Sequence, residues 1–350
     1  MSRVYLLLVL IFFMGSSIAE DPESQAKQHL NAIEKFLHVA PERSRAVMTN
    51  HRESVEHLHN YNKIQWHTAG ATIGLKLNDL DLFEQSLKEL SKLTTTDNLK
   101  TNQTSLLTLL GHFSLMANLL DEAKPAYNCL YALSETPNDK VRAAYRVANA
   151  YLSDGDIVNA ERIMKELLRV AIKQGNQSWL GPIKSTMGIY ALYKKDYLTA
   201  ETFFSESISM HQERQNYSGE FNSLLNLLLT FLLSDNEKFV RIEHRVTRLS
   251  QKNEDTDRNI LLKLIQLVRT SKIEKNVEKY QNLAMQYFGQ IESSTVKKAA
   301  KDFILPELKI TPNEPPMNFK SNWVREFMLK LECQAEPTDL GKMLDDLSGF

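Results

Sequence analysis

Arg142, Tyr145 and Asn149 stand three and four positions apart, the spacing that sets side chains in one line along a helix. Their chemistry is recognition. An Asn amide bonds a peptide backbone, a tyrosine offers apolar area with a polar tip, and a guanidinium holds a carboxylate. Residues for metal or covalent chemistry are less well placed. Histidines concentrate at His51, His57, His59 and His67, but the middle two are two apart, face different ways on a helix, and cannot share a metal as an i, i+4 pair would. They read as solvated surface groups, so no metal site and no cofactor are expected. Glu201 with Glu206, Asp154 with Asp156, and Asp345-Asp346 read as helix-surface and turn carboxylates rather than an acid/base pair. There is no Gly-rich phosphate loop, no Gly-x-Ser-x-Gly elbow, no His-Glu-x-x-His and no paired-cysteine metal site. A protein that is not an enzyme is the expectation.

The elements that must position a binding row are helices. The 350 residues are 43% apolar and 24% charged, and only 12 Gly and 10 Pro interrupt them. Apolar residues recur at three and four rather than in alternation, which makes the chain all-α. A net charge of −1 supplies no field to draw it to nucleic acid. At the N-terminus, Arg3, the apolar run Val4 to Met14 and the small residues before Glu20 read as a secretory signal cleaved after Ala19. The run is too short for a membrane span, which needs about 20 residues. The mature chain is therefore expected to be exported, most naturally to the periplasm, with membrane contact only if that segment is retained. Disulfides are permitted there. Cys129 and Cys333 could pair or stay free, since sequence does not bring them together. Three acceptor sequons, at Asn102, Asn176 and Asn216, fall in apparent inter-helix loops.

A helical hairpin recurs every 37 to 40 residues, marked by Ala123, Ala160 and Ala200, each followed four positions later by a large residue, Tyr127, Met164 or Phe204. A small residue lets the two helices approach, and the large one fills the gap toward the next hairpin. Leu110-Gly111 precedes Ala123 and Tyr127; Ala148, Tyr151 and Gly155 precede Ala160 and Met164; Met187-Gly188 and Ala191 precede Ala200 and Phe204. This pattern resembles the tetratricopeptide repeat family, with its Leu-Gly and Tyr on the first helix and Ala and Phe on the second. The lengthened, degenerate repeats resemble those of bacterial extracytoplasmic sensors and scaffolds. The resemblance implies a right-handed α-solenoid of tetratricopeptide-like hairpins.

Ile64 to Leu93 keeps the hairpin form, with a turn at Asn78-Asp79 and Phe83 where the small alanine belongs. Glu220 to Leu249 and Asp257 to Phe288 read as helix pairs broken near Asp235-Asn236 and Thr270-Ser271. The expected organisation is a signal peptide over 1–19, an N-terminal helical cap over 20–63, the solenoid over 64–304, a proline-rich joint over 305–318 and C-terminal helices over 319–350. The last carry Trp323, Val324, Phe327, Met328 and Leu331, then Leu340, Met343, Leu344 and Leu347. They either cap the solenoid or dock a partner. Only 45 residues follow Leu305, too few for a conventional catalytic domain.

In this architecture the first helix of each hairpin lines the concave surface. The resemblance therefore makes Thr108, His112, Arg142, Tyr145, Asn149, Ser185, Leu192, Tyr193, Asn222 and Asn226 the candidate partner-binding residues. Some family members hold a peptide's C-terminal carboxylate with Lys and Asn on these helices; Asn149 matches the Asn, but Tyr145 stands one turn earlier where that clamp has Lys. The function expected is a scaffold that presents this groove to a protein or peptide. The alternative is a sensor component resembling the extracytoplasmic half of bacterial diguanylate cyclases. This chain lacks their Gly-Gly-Asp/Glu-Glu-Phe motif, so its output would pass through a separate membrane partner.

Overall fold

The computed structural model describes residues 21–37, 40–93, 96–251, 255–312, 322–333 and 339–350. The expected signal peptide and residues 313–318 of the proline-rich joint lie outside them. Two compact units divide the chain, residues 1–93 and 94–350, so the hairpin at 64–93 belongs with the N-terminal helices. Among the described residues every regular element is a helix. The fold is an α-solenoid of tetratricopeptide-like hairpins.

In the first unit α1 (Pro22–Phe36) and α2 (Pro41–Asn50) each open on a proline, whose missing N–H costs nothing in a first turn. A 3₁₀ turn (Arg52–His57) leads to α3 (Asn60–Leu77) and α4 (Leu80–Leu93). Leu30, Ile33, Met48, Leu58, Trp66 and Ile73 form part of the core. Phe83 fits where a small residue was expected because Gly74 faces it; a Cβ on Gly74 would lie 2.7 Å from the Phe83 backbone nitrogen.

The second unit holds five hairpins: α5 (Thr96–Met116) with α6 (Leu120–Leu133), α7 (Pro137–Ser153) with α8 (Ile157–Lys173), α9 (Gln177–Tyr193) with α10 (Tyr197–Glu213), α11 (Tyr217–Leu233) with α12 (Phe239–Ser250), and α13 (Thr256–Glu274) with α14 (Glu278–Gln290). Contact at the repeat seam is as the sequence pattern requires. A Cβ on Gly111 would lie 2.3 Å from the Tyr127 ring, and one on Gly188 2.6 Å from the Phe204 ring. Sixteen positions separate each pair, and sixteen also separate Ala148 from Met164. Where the second helix carries a ring the first has no side chain; where it carries a flexible thioether a methyl is accommodated.

The turns share one backbone solution. Residues Asn78, Gly155, Gly175, Lys195, Gln215, Asp235 and Lys275 all take positive φ, and the next residue is Asp or Asn in every case. The left-handed residue closes the preceding helix, as in the bond from the Asp196 N–H to the Ala191 carbonyl. The Asx side chain then caps the next helix, Asp156 accepting from the Asn159 N–H and Asp196 from the Thr199 N–H. This corrects two expectations. Thr270 and Ser271 lie inside α13, and the break comes at Lys275-Asn276. Asn176 and Asn216 are helix caps in turns, but Asn102 lies within α5.

After α14 the chain forms α15 (Ser294–Ala299), a π turn (Ala300–Ile304) and a 3₁₀ turn (Leu305–Leu308), which pack among α5, α13 and α14. Then α16 (Asn322–Lys330) and α17 (Leu340–Gly349) return to α6, α7 and α8. A disulfide joins Cys129 on α6 to Cys333, with their Cα atoms 5.8 Å apart. The Arg325 guanidinium pairs with the buried Glu122 at 2.8 Å, and Arg169 donates to the Leu347 carbonyl at 3.0 Å. Trp323 packs on Phe113, ring centroids 5.4 Å apart. Of the two alternatives left open by the sequence, these contacts are those of helices folded onto their own solenoid.

Candidate functional site

The first helices α5, α7, α9, α11 and α13 owe their common face to the repeat. Arg146, Thr186 and Asn226 are spaced by forty residues, as are Arg142, Pro182 and Asn222, so each set marks one register on successive hairpins. Chain contacts identify the inner side. The segment 294–308 touches the first helices α5, α9 and α13, and also α14, the second helix of the last hairpin.

At the α5–α7 end, His112 and Tyr127 meet edge to face with centroids 5.9 Å apart. Burial, followed by the nearby Arg146 guanidinium, pulls the His112 ring down to about 4, so it is neutral near pH 7. Burial raises the Tyr127 hydroxyl well above the usual phenol range. Arg146 is a partly buried cation whose pKa is lowered chiefly by desolvation; its electrostatic neighbours are Tyr127 and Arg142, with no carboxylate among them. His112 Nδ1, Tyr127 Oη and Arg146 Nε are closed to solvent and have no hydrogen-bond partner. Arg142 is exposed one turn earlier on the same helix.

Along the row, Tyr145 bonds Thr186 through their hydroxyls at 3.1 Å and packs on Trp179 at 5.7 Å between centroids. Asn149 and Ser185 are half-buried. Thr108 turns its hydroxyl back to the Thr104 carbonyl. Leu192 is 3% exposed and belongs to the core, so it offers no surface to a ligand. Asn222 leaves its side-chain oxygen buried without a partner; Asn226 is half-buried, and its carbonyl accepts from Thr230.

Tyr193 stands apart from the others. Its hydroxyl donates to the Asp302 carboxylate at 2.6 Å and its ring packs on Phe303, centroids 4.7 Å apart. The chain's own π turn thus occupies this part of the inner face. Sequence reasoning passed over Arg146, although its place one residue after Tyr145 and forty before Thr186 put it in the same register system.

The N-terminal histidines do not converge. His29 stacks on His51 at 3.7 Å, His59 pairs with Glu23 at 3.1 Å, and burial brings His67 on α3 down to about 4. Against the solvated reading, His67 is a half-buried helix residue. Among the described residues no three His, Cys, Asp or Glu side chains form a metal-holding group. An open cavity of 530 Å³ is lined by Glu243, His244, Thr247, Arg248 and Gln251 of α12 and Gln266 of α13.

No family model matches the chain, and no curated protein is similar to it in sequence. Among solved structures it resembles the apo form of the quorum sensor NprR from B. thuringiensis. The match covers 99% of this chain and 92% of that one at a TM-score of 0.53 and 12% identity. At that identity the likeness is one of fold.

Proposed function

We propose that the protein is an exported, non-enzymatic scaffold that binds a protein or peptide along the inner face of its first helices. The observation that carries this reading is the set of buried, unpartnered polar atoms on that face, His112 Nδ1, Arg146 Nε and Asn222 Oδ1. A buried polar atom without a partner costs about 1–3 kcal/mol, and a polar ligand can offset part of that cost. Tyr145 and Trp179 supply aromatic area beside them, the residue types that anchor interfaces. Export rests on the N-terminal pattern alone.

The test is capture of partners from envelope extract by residues 20–350, beside a variant carrying Arg142→Ala, Tyr145→Ala and Asn149→Ala whose helical content is unchanged. A partner held by the native protein and lost from the variant supports the groove. A partner held equally by both rules it out. Fractionation with N-terminal sequencing tests export: a mature chain beginning at Glu20 supports it, and an intact cytosolic chain ends it.

The second reading, a sensor component that acts on a separate membrane signalling partner, draws support from the fold likeness to a quorum sensor. A ligand that alters association with a membrane protein would favour it over a passive scaffold.

A further inference from the structure

Among the described residues of the second unit, one seam between successive hairpins is open. The second helices α6, α8 and α10 pack directly on the next first helices α7, α9 and α11, whereas α12 and α13 lack that packing and α13 rests on α11 instead. The side chains explain the gap. At α10–α11 the buried Ser207 and Ser223 bond through their hydroxyls at 2.9 Å, short groups that let two helices meet. Thr247 holds the register of Ser207 forty residues later. Beside it, however, stands Glu243, and Gln266 on α13 donates to Glu243 at 3.0 Å and to the Thr247 hydroxyl at 3.4 Å. Closing the seam would strip water from these long polar groups without giving each a partner. The 530 Å³ cavity is this open seam.

We infer that the α12–α13 seam is a binding site for a small zwitterion, whose cationic end Glu243 takes and whose anionic end Arg248 takes. The Glu243 carboxylate is half-buried and accepts from the Gln266 amide, a neutral partner that leaves its charge uncompensated. Arg248 and His244, one turn apart, are exposed at the rim, and among the described residues no carboxylate pairs with either. Opposite charges on one wall that are not paired with each other suit a ligand that carries both. Its length follows from the helix. Glu243 and Arg248 are five residues apart, about 7.5 Å along the axis, and a dipeptide spans about 7 Å between its charged ends. No aromatic or aliphatic side chain lines the cavity, so it offers no stacking face to a nucleobase or sugar. Its volume is that of small-molecule sites. A ligand held there ties α12 to α13 through Gln266. The site lies away from the inner-face groove and stands or falls without it.

The probes are diglycine and the ω-amino acids from glycine to aminohexanoate, each beside its N-acetyl form, which lacks the cation, and its amide form, which lacks the anion. Binding to the full chain is read by calorimetry and by amide exchange in α12 and α13. At least one probe longer than glycine should bind saturably and slow exchange in both helices. Its two blocked forms should bind at least about 10-fold more weakly, the worth of one charge-assisted bond. Glu243→Gln should remove the preference for the free ammonium and keep that for the free carboxylate, and Arg248→Gln should do the reverse. The variant carrying Arg142→Ala, Tyr145→Ala and Asn149→Ala should bind the probes as the native protein does. No binding by any probe, protection confined to other helices, or blocked forms that bind as well as the free ones overturns the inference. If either substitution at the seam prevents folding, the free and blocked probes on the native protein decide alone.

Discussion

Two stretches of the inner row carry similar polar groups in opposite states. Tyr193 at α9 is satisfied by Asp302 from the segment after α14, whereas His112, Tyr127 and Arg146 at α5–α7 keep buried atoms unbonded. Helix repetition alone produces neither state. What differs is tertiary: the π turn at Ala300–Ile304 reaches α9 in the middle hairpin, while α16 and its disulfide return to α6, the second helix of the first hairpin of this unit. A solenoid can therefore fill one stretch of its inner face with its own chain and leave another available for a ligand.

The largest expected effect comes from cutting the covalent tie at the α5–α6 end. Paired substitution Cys129→Ser/Cys333→Ser releases a constraint across 204 residues, which the chain-entropy argument values at up to about 5 kcal/mol. Denaturant unfolding should show the loss, and hydrogen exchange should place the first opening in α16 and α17 rather than at Tyr193.

Next comes the seam beneath His112. Gly111→Ala drives a methyl into the Tyr127 ring and should cost about 2–3 kcal/mol. Adding Tyr127→Met recreates the Ala148/Met164 pair of the next hairpin and should recover much of the loss, a coupling that a double-mutant cycle measures. Additive losses would show that the glycine serves something other than the ring.

Acid should weaken the two stretches unequally. His112 is held near 4 in the fold against an unfolded value of about 6.5. Its neutral form is the folded one, so its contribution is complete above pH 6.5 and declines as pH falls toward 4. The loss is about 2 kcal/mol after allowance for partial exposure. Stability against pH for His112→Gln should lack that decline. Asp302→Asn removes the charged acceptor at Tyr193 and should loosen 294–308 by about 1–2 kcal/mol, read as faster amide exchange there with α6 unchanged.

The smallest effect sits in the turns. Lys195→Gly places at φ 58° the one residue that adopts it without a Cβ clash, and should stabilise the α9–α10 hairpin by about 0.5–1 kcal/mol. Gly155→Ala should cost a similar amount. Thermal unfolding distinguishes the signs.

Much of the fold was legible because repetition writes packing into spacing. Gly111 with Tyr127 and Gly188 with Phe204 could be paired by register, and the contacts found between them are local to one hairpin. The turns at Asn78-Asp79 and Asp235-Asn236 were equally readable from their Asx caps. The break in the fifth hairpin was misplaced at Thr270-Ser271, although Asn276 after Lys275 is the same Asx cap, its side chain accepting from the Lys279 N–H.

The site was less legible. The rows through Arg142, Tyr145 and Asn149 follow from helical spacing, but spacing treats Tyr193 and Arg146 alike as polar residues on first helices. What each meets depends on chain more than a hundred residues away for Tyr193 and, for Arg146, on Tyr127 of the preceding hairpin.

By itself the sequence determined the helices, their hairpin pairing and the residues that share a face, since these depend on contacts within one repeat or between neighbouring repeats. Only the tertiary structure decided that Cys129 meets Cys333, that α16 and α17 return to α6, α7 and α8, and that Asp302 reaches Tyr193. Those contacts join segments through the curvature of the whole second unit, a sum of small rotations between hairpins that no local pattern encodes.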